Sequence, residues 1–221
     1  MNKKKPLVFK RVVAYLIDIL IVTLLSGIVT IVFTNNTKYE NDSNKLVELT
    51  SKLSQGEITS DDFFKEYDEL SYSLIKDSID VNIITCTISI IYFVIMCYYC
   101  HGITLGKYIM KLKIVSANDK KLTIFNYLLR SLIINMILSN VFSVVFVLIL
   151  SKDTFMTVYP KITNCTTLLL VLSFILIMYR NDGRGVEDFM GNTKVVNFKD
   201  LEENDIVKEA KVIEEKKESE K

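Results

Sequence analysis

Apolar and polar positions in this chain fall into long blocks and do not alternate at helix or strand spacing. A helix needs ~20 residues, within a range of about 17–25, to cross the hydrocarbon of a bilayer. Four stretches meet or approach that length: Val12–Phe33, Val81–Cys100, Ile124–Leu150 and Ile162–Tyr179. The first is interrupted by Asp18 and a few small polar residues, and the uncharged part of the third begins after Arg130. Charged residues crowd instead into 38–80 and 199–221. The pattern predicts an all-α membrane protein with four transmembrane helices.

Lysine and arginine near the span ends set orientation, because basic segments are retained in the cytoplasm. One side collects Lys3, Lys4, Lys5, Lys10 and Arg11, then Lys107, Lys111, Lys113, Lys120 and Lys121, then Arg180, Arg184 and Lys194. The other side has the Thr34–Ser78 loop, with five lysines and ten acidic residues, and the short Ser151–Lys161 loop with two lysines. Both termini are therefore expected in the cytoplasm, and the protein in the plasma membrane. The first apolar run is too long for a signal-peptide core of about 7–15 residues and is followed by no small-x-small cleavage pattern, so it is expected to remain as a span.

The connecting segments carry their own signals. Phe63, Tyr67, Leu70 and Leu74 recur at helical spacing behind Ser60-Asp61-Asp62, whose hydroxyl and acids suit a helix start, and the helix can run on into the second span. A shorter helix over 45–53 precedes the Gln55-Gly56 break. On the inner side, Leu112–Val115 and Thr193–Val196 read as short strands, with a turn at Asn118-Asp119-Lys120, and are expected to pair into a small cytoplasmic two-stranded ribbon. The Glu- and Lys-rich tail, 198–221, reads as a solvated cytoplasmic appendage.

Composition removes several classes. A net charge of +1 with scattered lysines leaves no nucleic-acid footprint. Four cysteines in 221 residues, two of them deep in apolar runs, make no disulfide framework. The single histidine, His101, has no acid beside it in sequence and no nucleophile–base pair is evident, so an enzyme is not expected. Cys97-Tyr98-Tyr99-Cys100-His101 matches the haem-attachment pattern, but that attachment is made outside the cytoplasm and the orientation puts this pentad at the inner end of a span. A zinc site lacks a second ligand pair. Gly102-Ile103-Thr104-Leu105-Gly106-Lys107 is one residue too short for a phosphate loop and lacks the hydroxyl after the lysine. Neither cofactor nor metal is expected. The glycines suit a sharp turn with Thr104 inside it, and Lys107 suits a lipid headgroup.

Asp18 is the chemically conspicuous residue. An acid near the centre of a span costs ~2.5–3.5 kcal/mol on insertion scales and normally faces a partner inside the bundle. Arg11 lies on nearly the same helix face but ~10 Å away along the axis; Arg130, at the start of the third span, is the alternative partner. Two roles are open: a cation or proton site, or a buried ion pair that fixes packing. Asn135, Ser139, Asn140 and Ser143 add a polar stripe to the third span, suited to interhelical hydrogen bonds or to a polar path beside Asp18.

These residues also carry a resemblance. Phe9-Lys10-Arg11-Val12-Val13-Ala14-Tyr15-Leu16-Ile17-Asp18 resembles the opening of the RDD family, named for one arginine and two aspartates. Gly102–Lys107 with Lys113-Ile114-Val115 is similar to its central motif. Arg184-Gly185-Val186-Glu187-Asp188-Phe189-Met190-Gly191-Asn192-Thr193-Lys194-Val195-Val196 resembles its closing motif, with Asp188 as the second aspartate. The resemblance spans Leu7–Asn197 and leaves 34–78 as an insertion. Many members have histidine before the last aspartate; here it is Glu187, so a proton-handling role for that histidine does not transfer. For some members transport, including cation–proton exchange, has been proposed. The resemblance implies a membrane domain over 7–197 with Arg11, Asp18 and Asp188 as its named residues; together with Arg130 from the third span they are expected to form an inward-facing charge cluster serving transport of a small solute or cation. The rival reading is a non-catalytic assembly, quality-control or signalling module. Expected partners are the lipid bilayer, further copies of the chain, and for the rival reading a protein docked on the outer loop or cytoplasmic face.

Overall fold

The computed structural model describes residues 4–34, 37–118 and 120–198; the expected tail from 199 on and Asp119 of the expected turn lie outside them. The helices are α1 (Lys4–Phe33), α2 (Thr37–Gln55), α3 (Ser60–Asp77), α4 (Ile79–Ile90), α5 (Cys97–Tyr99), α6 (Leu105–Ile109), α7 (Ile124–Ile134), α8 (Ile137–Ile149), α9 (Lys152–Tyr179) and α10 (Val186–Met190). A π turn, Ile91–Met96, joins α4 to α5, so that Ile79–Tyr99 is one helical rod. The strands are β1 (Leu112–Ser116) and β2 (Thr193–Asn197).

Three helices, Leu7–Phe33, Ile79–Tyr99 and Lys152–Tyr179, are long and apolar enough to cross a membrane. The expected third span is present as α7 and α8, bent by 77° at a break of a few residues, and makes a fourth span if the pair counts as one. The break has a backbone cause. Met136 sits at φ 50° and its N–H donates to Ile133 O, three residues back, which closes α7 in a tightened turn. Neither Gly nor Pro marks this point, which is why hydropathy runs straight through it.

The other boundaries shift for local reasons. α9 begins at Lys152 and includes the segment expected as the 151–161 loop. Phe155 is fully buried there and stacks on Tyr159 at 5.0 Å, so this turn has an apolar face to cover, and Pro160 is tolerated inside the helix. Thr59, one residue before the expected start, caps α3 by accepting from Asp62 N–H at 3.2 Å. Ser78 interrupts the expected run from α3 into the second span.

The chain divides into two compact units. The first holds residues up to Leu20, Tyr92–Arg130 and Val171 onward. Its interior combines Ala14, Phe93, Val94, Leu112, Ile114, Tyr127 and Val195 with buried Asp18, Thr104, Arg130, Glu187, Asp188 and Thr193. The predicted ribbon is here: β1 and β2 pair antiparallel, with Ile114 opposite Val195 and Leu112 opposite Asn197. Leu112, Ile114, Thr193 and Val195 face inward at the period of two that a strand imposes.

The second unit holds Ile21–Ile91 and Ser131–Leu170. α2 and α3 form a helical hairpin over Leu49, tied by Ser73 of α3 donating to Asp42 of α2, which Lys45 of the same helix also pairs at 2.8 Å. α4 packs on α8. Ser139 and Thr166 hydrogen bond at 2.7 Å, one of the interhelical bonds for which the polar stripe is suited.

Candidate functional site

Both buried acids named by the sequence lie in the first unit, but they occupy separate networks. Asp18 is fully buried and uses both carboxylate oxygens. Its Oδ1 accepts from the Tyr92 hydroxyl at 2.6 Å and from Gly106 N–H at 2.8 Å. Its Oδ2 accepts from the Thr104 hydroxyl at 2.6 Å and lies 3.6 Å from Lys107 Nζ, which itself donates to Thr104 Oγ1 at 3.1 Å. Asp18 thus pairs with neither Arg11 nor Arg130, the two partners the sequence offered it; its partners are the central glycine motif and Tyr92.

The motif is shaped to make that approach. Gly102 sits at φ +89°, where an added Cβ would run into Ile114 O, and its own carbonyl accepts from Ile114 N–H at 3.0 Å, seating the turn on β1. An added Cβ at Gly106 would overlap Ala14 O and come within 2.8 Å of Asp18 Oδ1, so only glycine lets α6 press its backbone N–H against the carboxylate. Lys107, expected at the headgroups, is engaged within the protein. Its side chain is 15 % exposed and turns inward, where the Asp18 carboxylate and the Thr104 hydroxyl offset its burial. That burial pushes the ammonium below its ordinary value, against the pull of Asp18.

Asp188 organises the second network. Arg130 pairs with its Oδ1 and donates to Thr193 Oγ1 at 3.0 Å; Arg11 Nη2 reaches its Oδ2 at 2.6 Å. Arg11 also donates to Gly183 O at 2.6 Å and to Glu187 Oε1 at 3.0 Å. Ser173 completes the shell by donating to Glu187, and Gly185 N–H donates to Asp188 Oδ2 at 3.1 Å. Two guanidinium groups meet two carboxylates, both of which are fully buried, so the cluster is close to neutral and its charges are compensated. Burial pushes the Asp188 carboxyl up, but Arg130 and Arg11 outweigh it and hold the group well below the usual carboxylate range.

Of the expected cluster, then, Arg11, Arg130 and Asp188 come together and Asp18 stands apart with Thr104, Gly106 and Lys107. Four contributors carried no assigned role in the sequence reading: Tyr92, Ser173, Glu187 and Thr193. Glu187 and Thr193 stood inside the closing motif, whereas Tyr92 and Ser173 were polar tips within apolar runs, visible only as hydroxyls that would need partners. Among the described residues, no group of three or more His, Cys, Asp or Glu side chains is placed to hold a metal ion.

The RDD family model matches residues 5–192. No curated protein and no solved structure matches the chain. The match contains the first two motifs, the closing motif as far as Asn192, and every residue of the two buried networks except Thr193; with the apolar helices it identifies a multi-pass membrane protein: the chain belongs to the RDD family.

Proposed function

We propose that the protein transports or exchanges a small cation or solute across the plasma membrane and that Asp18 is its charge-bearing group. The observation that carries this reading is a carboxylate buried within an apolar helix, held by three neutral donors and faced by one buried lysine. Such a group gains little for packing that an apolar residue would not provide, and intramembrane acids of this kind mark ion and proton paths. Arg11, Arg130, Glu187 and Asp188 act beside it as a lock on the closing motif. The chain spans four times, with α7 and α8 as one bent span, and both termini face the cytoplasm. Four spans are few for a transporter built of internal repeats, so the working unit is at least a dimer. The protein is not an enzyme.

The test is cation-driven pH change in proteoliposomes under sodium, potassium and lithium gradients. Wild type is expected to show flux, and Asp18→Asn to lose it at least about tenfold while still purifying as a folded protein. Silence of the wild type under all three gradients overturns exchange of monovalent cations. A second reading, docking of a protein partner, is favoured by the α2–α3 hairpin, which exposes Val47 and Phe64 beside a charged groove lined by Asp42, Glu48, Lys52 and Glu66. Removing Asn44–Glu69 separates the two: a transporter keeps most of its flux, whereas a docking module loses its function.

A further inference from the structure

The second apolar helix is not uniformly α. Ile91–Met96 forms a π turn, in which bonding reaches five residues along the chain, not four. Such turns insert one extra residue into a helix and are seldom kept without a reason. Here the buried run Tyr92-Phe93-Val94 lies within it, followed by Cys97 at 1 % exposure. Residues three or four apart share a face in an α-helix; Tyr92 and Cys97 are five apart, and the π turn is what lets both point inward.

The Tyr92 hydroxyl makes two bonds from that position. It donates to Asp18 Oδ1 at 2.6 Å and accepts from Leu105 N–H at 3.3 Å, the first residue of α6. One phenol therefore joins α1, the second apolar helix and the glycine motif. If 91–96 wound as a regular α-helix, the residues on one side of it would rotate by ~100° relative to the other. Tyr92 and Cys97 could not then both stay inside, and Asp18 would lose the donor that the second apolar helix supplies, one of its two bonds at 2.6 Å.

We propose that Tyr92 is the positioning residue for Asp18, and that the π turn is a register switch held in place by the Asp18 carboxylate. The bond from Tyr92 to the Asp18 carboxylate keeps the π register; removing either partner of that bond lets the segment relax toward α, turning Cys97 outward. The state of Asp18 is in this way transmitted along the second helix. The proposal holds whether or not the protein moves cations, because its observable is the register itself.

The four cysteines provide the readout. Cys86 lies before the π turn at 8 % exposure and Cys97 after it. In full-length, detergent-solubilised protein with Cys100→Ser and Cys165→Ser, maleimide labelling is followed at both remaining thiols by mass spectrometry. Wild type is expected to label slowly at both. Asp18→Asn and Tyr92→Phe, the second of which keeps the ring and removes only the hydroxyl, are each expected to raise the Cys97 rate by roughly tenfold relative to Cys86. An unchanged Cys97-to-Cys86 ratio in Tyr92→Phe overturns the proposal, whether neither thiol is released or both are released together by general loosening.

Discussion

Asp18 and Asp188 are both fully buried carboxylates, yet they are stabilised by different means. Asp188 is held by two guanidinium groups, so removing its charge leaves Arg11 and Arg130 buried with Glu187 alone to answer them. Breaking a buried pair in this way costs about 3–5 kcal/mol. Asp188→Asn is therefore expected to lower the melting temperature of the purified protein by well over 5 °C, read by intrinsic fluorescence. The same pairing fixes a pH dependence. The folded-state pKa of Asp188 is depressed, so its contribution is complete above the unfolded value of about 3.9 and is lost as pH falls below it toward the folded value. Thermal stability should decline in that acidic window, and Asp188→Asn should remove that part of the decline. Asp18, Arg11, Arg130 and Asp188 were all legible as residues that must find partners. Their pairing was not, because helical spacing relates a side chain only to others on its own helix.

At the scale of elements, the two short motifs explain themselves once the backbone is seen. The glycine motif is a turn that delivers the Gly106 N–H to Asp18, and Gly106→Ala places a methyl group against Ala14 O and the carboxylate. Such overpacking typically costs about 1–3 kcal/mol. The variant should show a matching loss of thermal stability, whereas alanine at Gly27, where an added Cβ meets nothing, should not. The β1–β2 ribbon was legible because Leu112–Val115 and Thr193–Val196 are short segments rich in β-branched residues. The break at Met136, the π turn at Ile91–Met96 and the start of α9 were not. Each is set by backbone geometry or by burial of one face, as with Phe155, and none carries the Gly or Pro that would announce it.

For the molecule as a whole, the described residues of the first unit carry Lys10, Lys111, Lys113, Arg180, Arg184 and Lys194, whereas those of the second carry the acidic α2–α3 hairpin. With basic segments kept in the cytoplasm, a membrane-impermeant thiol reagent should reach exposed Cys100 only in inside-out vesicles. A cysteine introduced by Ser54→Cys in α2 should be reached only in right-side-out ones, and the reverse pattern would invert the proposed topology. The sequence by itself determined that the chain lives in a bilayer, which blocks are apolar enough to enter it, and which family it belongs to. These follow from one-dimensional properties: hydropathy summed over a window, and residue order within motifs. Only the tertiary structure decided that Asp18 answers to Lys107 and Tyr92, that the arginines answer to Asp188 and Glu187, that one apolar stretch is bent at Met136 and that another carries a π turn. Those outcomes depend on which helix faces meet and on where unpaired donors lie, and both are fixed only when distant segments pack together.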